Sequence, residues 1–155
     1  MYTAKNEIKN VNLNPIYNKE KVMKILIVDD SEIIYKRIEK LITPCIDRNQ
    51  DSITVISELD NLLMDVYHMS PDVIILNTYS LRGTLMETVR AIKTIRPQLK
   101  IISLTEFFDK TFENLLKNAG SDFFIDIASG VGQIPGIITD FKNRFNKTSN
   151  CEINR

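Results

Sequence analysis

The 155-residue chain contains no tryptophan, one histidine and only two cysteines. Two cysteines, Cys45 and Cys151, do not make a disulfide framework, so the sequence predicts two free thiols in a reducing compartment. No apolar run approaches the roughly 18 residues that a membrane-spanning helix needs. Residues 1–10 also lack the apolar segment of a signal peptide. These absences predict a cytoplasmic protein that has no membrane partner.

The chain also lacks net charge, because its 20 basic residues balance its 20 acidic ones. A domain that binds nucleic acid directly is usually basic, so we expect no direct nucleic-acid partner. The balance is uneven, since basic residues gather at both ends of an acidic middle. This distribution predicts a flexible N-terminal extension over 1–22, a folded domain over 23–145 and a C-terminal tail over 146–155. The alternative interpretation is that the asparagine-rich extension serves as a docking peptide.

Short apolar runs alternate with segments of helical spacing along the rest of the chain. The runs predict five strands: Lys24–Val28, Ile53–Ile56, Asp72–Leu76, Lys100–Leu104 and Phe123–Ile125. The segments between and after them predict five helices: Glu32–Ile42, one opened by a capping box at Ser57 and Asp60, one from a capping box at Thr84 and Glu87 to Arg96, one from Lys110 to Gly120, and one from Pro135 to about Asn143. Continuously apolar strands are typical of a parallel sheet with helices on both faces. The expected fold class is therefore α/β, a three-layer doubly wound (βα)5 parallel sheet.

Binding sites in such sheets lie at the carboxyl ends of the strands. The residues predicted at those ends are Asp29, Asp30, Glu58, Asn77, Thr105 and Ile127. Adjacent carboxylates such as Asp29 and Asp30 can bind Mg²⁺ through oxygen. The alternative interpretation is that Asp30 only caps the following helix.

Four segments of the chain resemble one family. They are KILIVDDS (Lys24–Ser31), PDVIIL (Pro71–Leu76), RPQLKIISLT (Arg96–Thr105) and NAGSDFFIDI (Asn118–Ile127). Together they resemble the receiver domain of two-component response regulators, and the resemblance extends from Lys24 to about Asn143. It implies the flavodoxin-like, CheY-like form of the fold and a signalling role without enzymatic activity. It also implies a protein partner, either a histidine kinase or another signalling protein.

Two departures from the family pattern concern the chemistry itself. The family has a phosphoacceptor aspartate after its third strand and a lysine after its fifth, where this chain has Asn77 and Ile127. A neutral amide is a very poor nucleophile, so the usual acyl phosphate should not form. Losing both residues removes a negative and a positive charge together, whereas losing one would leave the other uncompensated. The pattern implies a degenerate pseudo-receiver without catalytic residues.

The function expected from this pattern is a stand-alone receiver that signals through protein contacts and not through phosphorylation. The alternative is a single-domain response regulator in a histidine-kinase phosphorelay. It would use an unusual acceptor, such as Ser80 or Thr78, or would depend on deamidation of Asn77 to aspartate. An enzyme or flavin protein on the same topology is disfavoured, because a flavodoxin needs a glycine- and hydroxyl-rich phosphate loop after its first strand. The acidic pair at that position instead repels phosphate.

Three further expectations rest on the resemblance. Thr105 and Phe124 match the switch residues of the family, but without a phosphoryl group the favoured interpretation is that Thr105 ends a strand and Phe124 belongs to the core. We expect no cofactor, and at most weak Mg²⁺ binding at Asp29 and Asp30 because a third carboxylate is missing. Phe107 and Phe108 follow Thr105, and one of them is expected either to anchor a partner or to pack under the loop.

Overall fold

The structure is a computed structural model that describes residues 21–106 and 109–151, with the backbone alone at Arg82 and at 148–151. The predictions for residues 1–20 and for Phe107 and Phe108 lie outside the described residues. Within them, no helix is long and apolar enough to cross a membrane.

Five parallel strands form a single sheet. Their bounds are β1 (Lys24–Val28), β2 (Ser52–Ile56), β3 (Val73–Asn77), β4 (Lys100–Thr105) and β5 (Phe123–Asp126). The strand order is β2-β1-β3-β4-β5, which is the flavodoxin-like order. The chain leaves β1 toward β2 on one side and then returns past β1 to β3, so the order reverses between β1 and β3. The predicted fold class is confirmed.

Six helices accompany the sheet in the described residues. They are α1 (Glu32–Ile42), α2 (Leu62–Met69), α3 (Thr78–Leu81), α4 (Leu85–Ile95), α5 (Lys110–Ala119) and α6 (Ile134–Cys151). The sixth, α3, is a single turn that directly follows β3. It lies in the segment between the predicted third strand and the predicted capping box at Thr84, where the sequence predicted no helix.

Alternate residues of each central strand point into two separate cores, which makes the domain three layers thick. On one face, side chains of β1 and β3 such as Ile27 and Ile75 pack with α1 and α6. On the other face, Leu26 and Ile74 pack with α2, α4 and α5. A strand buried on both faces must be apolar at every position, which is why the runs in the sequence do not alternate.

Three details differ from the sequence predictions. Helix α2 begins at Leu62 and not at the Ser57–Asp60 box, because the first hydrogen bond of the helical type runs from the Asp65 N–H to the Asn61 carbonyl. Thr84 stands at the N-cap of α4, but its hydroxyl donates to the Leu81 carbonyl at 3.0 Å and so forms no capping box. Helix α6 continues past Asn143 because no glycine or proline follows Gly136 within it.

Candidate functional site

The carboxyl ends of β1, β3 and β4 bring the predicted site residues to one edge of the sheet. Val28 is paired with Leu76, so Asp29 and Asn77 lie level with each other on neighbouring strands. Asn77 is paired in turn with Leu104, which places Thr105 one residue further along β4. We call this group of strand ends the carboxyl-edge site.

Asp29 is the most constrained side chain of the carboxyl-edge site. It is fully buried, and its Oδ1 accepts a hydrogen bond of 2.8 Å from the Ser31 N–H. Its Oδ2 is also buried and has no hydrogen-bond partner. Burial raises the pKa of the Asp29 carboxyl, and the charge of Asp30 raises it further, while the Ser31 N–H and the nearby Asn77 side chain offset part of the effect. A buried carboxylate with one unpartnered oxygen costs folding free energy.

Asn77 is held in place by the turn that follows it. Its side chain is 2% exposed, and its Oδ1 accepts a hydrogen bond of 3.0 Å from the Tyr79 N–H. This bond satisfies one of the N–H groups that the first turn of α3 leaves without a helical partner. The side-chain oxygen of Asn77 therefore serves the local backbone and helps to start α3.

Asp30 lies at the surface and connects two loops. Its Oδ1 accepts a hydrogen bond of 2.7 Å from the Ser80 hydroxyl, and its own N–H lies 3.4 Å from the same Ser80 oxygen. The N-cap position of α1 is Ser31, and no side chain makes a capping hydrogen bond there. The alternative role of Asp30 as a helix cap is therefore not found, since its carboxylate contacts α3 instead.

The remaining predicted residues contribute backbone contacts and apolar surface to the carboxyl-edge site. Ile127 follows β5, donates its N–H to the Thr105 carbonyl at 2.9 Å and packs its half-buried side chain against the α1–α6 core. Thr105 is buried at the end of β4. Phe124 is partly buried against the opposite core, with α2, α4 and α5. Ile127 thus supplies no charge and no side-chain hydrogen bond at the end of β5.

Asp126 is a carboxylate of this edge that the sequence analysis did not identify. Its Oδ1 accepts from the Ala128 N–H at 2.9 Å and its Oδ2 accepts from the Ser129 hydroxyl at 2.8 Å. These hydrogen bonds, that of Ser129 foremost, lower the pKa of the Asp126 carboxyl. The spacing of an aspartate with a serine three residues later, just after a strand, is the signal for such a turn. Asp126 is therefore engaged locally and is not directed at Asp29.

The described part of the chain offers a limited donor set for a metal ion. No group of three or more His, Cys, Asp or Glu side chains in residues 21–106 and 109–151 could hold one. Asp29 Oδ2 fits as one ligand because it is buried without a partner, whereas one oxygen of Asp30 is already occupied by Ser80. These two carboxylates are the residues that would hold Mg²⁺, with the help of water ligands.

The raised pKa of Asp29 predicts a pH-dependent stability. A carboxyl whose folded-state pKa lies above its ordinary value of 3.8 stabilises the fold only when protonated, so its contribution is lost as the pH rises through the folded pKa. We expect Asp29→Asn to increase the free energy of unfolding at neutral pH by about 1–3 kcal/mol, since it removes a buried charge. The gain should disappear at pH values below the pKa of the carboxyl in the unfolded chain. Urea titrations at several pH values measure it.

The exposed Asp60 provides the control for this prediction, because Asp60→Asn removes the same charge from a solvated position. Its effect should stay within about 0.5 kcal/mol at every pH. A loss of stability in Asp29→Asn at neutral pH would show that the Asp29 carboxylate is satisfied by contacts other than those described.

Comparison with known proteins places this architecture among solved structures. No protein-family model matches the chain, and no curated protein sequence matches it. A CheY-like response regulator receiver domain protein from Methanospirillum hungatei is similar with a TM-score of 0.68 and 16% identity, over 83% of this chain and 99% of that one. The chemotaxis protein CheY4 of Vibrio cholerae has a TM-score of 0.64 and 17% identity, over 77% and 98% of the two chains.

An orphan response regulator of H. pylori is also similar, with a TM-score of 0.59 and 15% identity over 79% of this chain and 96% of that one. Identities this low carry information about the fold alone. The chain spans almost the full length of these three chains. The chain therefore has the fold of the CheY-like receiver domains of response regulators.

Proposed function

We propose that the chain is a receiver-like binding module that signals through protein contacts and without aspartyl phosphorylation. The observation that carries the proposal is the state of Asn77 at the end of β3. Its buried side chain is a neutral amide, and its oxygen accepts the Tyr79 N–H. A phosphoryl acceptor needs an available carboxylate oxygen at this place, and the amide has none to offer.

The surroundings of Asn77 support the same conclusion. Phosphoryl transfer depends on positive charge that stabilises the transferred group. Ile127 provides none at the end of β5, and its side chain is packed against the core. The carboxylates of Asp29 and Asp30 follow β1 at this edge and repel a phosphate unless a cation lies between them. A partner such as a histidine kinase or another signalling protein would then be recognised by surface shape, and not in response to phosphorylation.

The proposal is tested with small phosphodonors. The unaltered protein, incubated with acetyl phosphate or phosphoramidate and Mg²⁺, should keep its intact mass. Stoichiometric gain of a phosphoryl group, mapped to any residue of the carboxyl-edge site, would overturn the proposal.

One contact favours a second candidate function, a receiver in a phosphorelay with an unusual acceptor. The Ser80 hydroxyl donates to Asp30 Oδ1 at 2.7 Å, which is the geometry in which a carboxylate accepts the proton of an attacking hydroxyl. Thr78 is less suited because its side chain is buried. Under this alternative the phosphodonor adduct would form and would disappear in Ser80→Ala. The missing positive charge at Ile127 argues against it.

The number of carboxylates at the carboxyl-edge site should determine its affinity for Mg²⁺. With Asp29 and Asp30 alone, we expect binding too weak to detect by calorimetry at physiological Mg²⁺, because the ion needs anionic oxygens to offset its dehydration. Asn77→Asp adds a third carboxylate beside the unpartnered Asp29 Oδ2 and should bind Mg²⁺ measurably. Asn77→Ser, which adds no charge, is the matched control. Equal affinity in the unaltered protein and in Asn77→Asp would contradict the expectation.

A further inference from the structure

The edge of the sheet opposite the carboxyl-edge site carries a groove. It lies at the amino ends of β3 and β4, between the loop that follows α4 and the second half of α6. Its volume is about 740 Å³, the size of a site that accepts several side chains of a ligand. We call it the amino-edge groove.

Apolar side chains line much of the amino-edge groove. Two aromatic rings, Phe141 and Phe145, come from α6. The loops before β3 and β4 contribute Pro71, Pro97 and Leu99, and the residue before β1 contributes Met23. Phe141, Leu99 and Met23 are buried and belong to the fixed framework of the domain. A preformed lining of this kind holds an apolar anchor at little cost in ordering.

The charges around the amino-edge groove are strongly one-sided. Among the residues that the structure describes, four cations line it against one anion, namely Lys21, Arg96, Lys100 and Arg144 against Asp72. The Lys21 ammonium lies 4.0 Å from the centroid of the Phe145 ring, which holds this cation at the groove. Lys100 shares Asp122 with Lys93, at 3.1 Å and 2.8 Å. Since the whole chain has no net charge, this basic patch is local and not a reflection of composition.

We propose that the amino-edge groove binds an acidic peptide segment of a partner protein, one that carries carboxylates around an apolar anchor. The apolar lining would take the anchor, and the four cations at the groove would attract the carboxylates. The proposal rests on the proposed function in one respect, that the chain acts through protein contacts. It adds the surface and the chemistry of the partner.

Charge decides between this occupant and the others. Residues 1–20 carry three lysines and two glutamates, so the net charge of this segment has the same sign as that of the groove and is not complementary to it. Nucleic acid is disfavoured because the Asp72 carboxylate and the apolar lining would meet its phosphates. A second copy that presented its acidic carboxyl edge to the groove of the first would make a head-to-tail contact, which generates rings or open filaments and not a closed dimer. An acidic segment of another protein brings both the charge that the cations attract and an apolar anchor for the lining, which nucleic acid does not offer.

The experiment measures binding of a fluorescein-labelled peptide to the full chain by anisotropy. The probe is a short peptide rich in glutamate with two leucines, and the control peptide has glutamine in place of each glutamate. We expect the glutamate peptide to bind, with an affinity that falls as salt is added. The glutamine peptide should bind more weakly by at least about tenfold.

Two matched double variants locate the binding. Arg96→Glu with Arg144→Glu reverses two cations of the groove and should weaken binding by at least about tenfold. Lys40→Glu with Lys117→Glu makes the same change in net charge at exposed positions on α1 and α5, and should leave the affinity within about twofold. Circular dichroism checks the fold of each variant. If the arginine reversals unfold the chain, Arg96→Gln with Arg144→Gln takes their place.

Several results would overturn the proposal. They are the absence of peptide binding, an equal loss in both double variants, tighter binding of a DNA or RNA oligonucleotide of the same charge, and concentration-dependent self-association that the arginine variant abolishes. Failure of the proposed function would be seen separately. The phosphodonor test reports on the carboxyl-edge site through the intact mass, whereas the peptide test reports on the amino-edge groove through anisotropy.

Discussion

Asp51→Ala should reduce the free energy of unfolding by about 3–5 kcal/mol, because it removes one partner of a buried ion pair. The Asp51 side chain is 1% exposed and pairs with Lys142 of α6. It also accepts the Met23 N–H at 2.9 Å and the Asp47 N–H at 2.8 Å. Alanine would leave two N–H groups and a half-buried ammonium without their partner. Urea unfolding at neutral pH measures the loss.

The difference in free energy of unfolding between the unaltered protein and Asp51→Ala should become smaller at acidic pH. Burial alone would raise the pKa of the Asp51 carboxyl, but the hydrogen bonds from Lys142, Met23 and Asp47 outweigh it and hold the pKa below the ordinary 3.8. A carboxyl whose pKa is lowered in the folded state stabilises the fold at pH values above its unfolded-state pKa. This contribution is lost as the pH falls through its folded-state pKa. The difference in stability between the unaltered protein and Asp51→Ala should therefore become smaller as the pH falls below about 4.

Asp140 supplies the control for the Asp51 prediction. It lies exposed on the same helix as Lys142, and Asp140→Ala should change stability by less than about 0.5 kcal/mol. A comparable loss in both variants would mean that the net charge of the chain, and not the contacts of Asp51, determines its stability.

The sequence predicted the sheet well because its signal is local and strong. Each strand has an apolar run at its centre or end, and a run such as Lys24–Val28 has few interpretations other than a buried strand. Helix bounds were less certain where polar side chains decide them. Helix α2 begins after the predicted capping box, and α3 depends on the Asn77 side chain, whose contact with the Tyr79 N–H no periodicity reveals.

The contacts between distant segments could not be predicted from the sequence. Asp51 and Lys142 are 91 residues apart, and Asp30 and Ser80 are 50 apart. Such pairs depend on strand order and helix placement, which local patterns do not specify. The proximity of Asp29 and Asn77 was expected only because both follow strands of one parallel sheet. The functional roles assigned to Asn77, Ile127, Thr105 and Phe124 stay predictions that the phosphodonor experiments address.

Asn77→Asp combined with Ile127→Lys should convert the chain from one that gains no phosphoryl group to one that does. The new carboxylate would attack the phosphorus of acetyl phosphate and form an oxygen–phosphorus bond. The bond between the phosphorus and the acetate oxygen would break, and acetate would leave with its electrons. Asn77 is buried beside Asp29, so a carboxylate there without a counterion would be repelled and would take up a proton. The lysine at position 127 is needed because it supplies the counterion that keeps the new carboxylate ionised.

The matched control is Asn77→Asp with Ile127→Met, which has a side chain of similar length and no charge. Ile127 is half-buried at the end of β5, and its N–H donates to the Thr105 carbonyl, so either replacement keeps the backbone contact. Intact mass spectrometry after incubation with acetyl phosphate and Mg²⁺ should show the adduct in the lysine variant, less in the methionine variant and none in the unaltered chain. If the lysine variant folds and stays unmodified while Ser80→Ala alone alters the mass profile of the natural chain, then the acceptor is Ser80 and the domain belongs to the phosphorelay alternative.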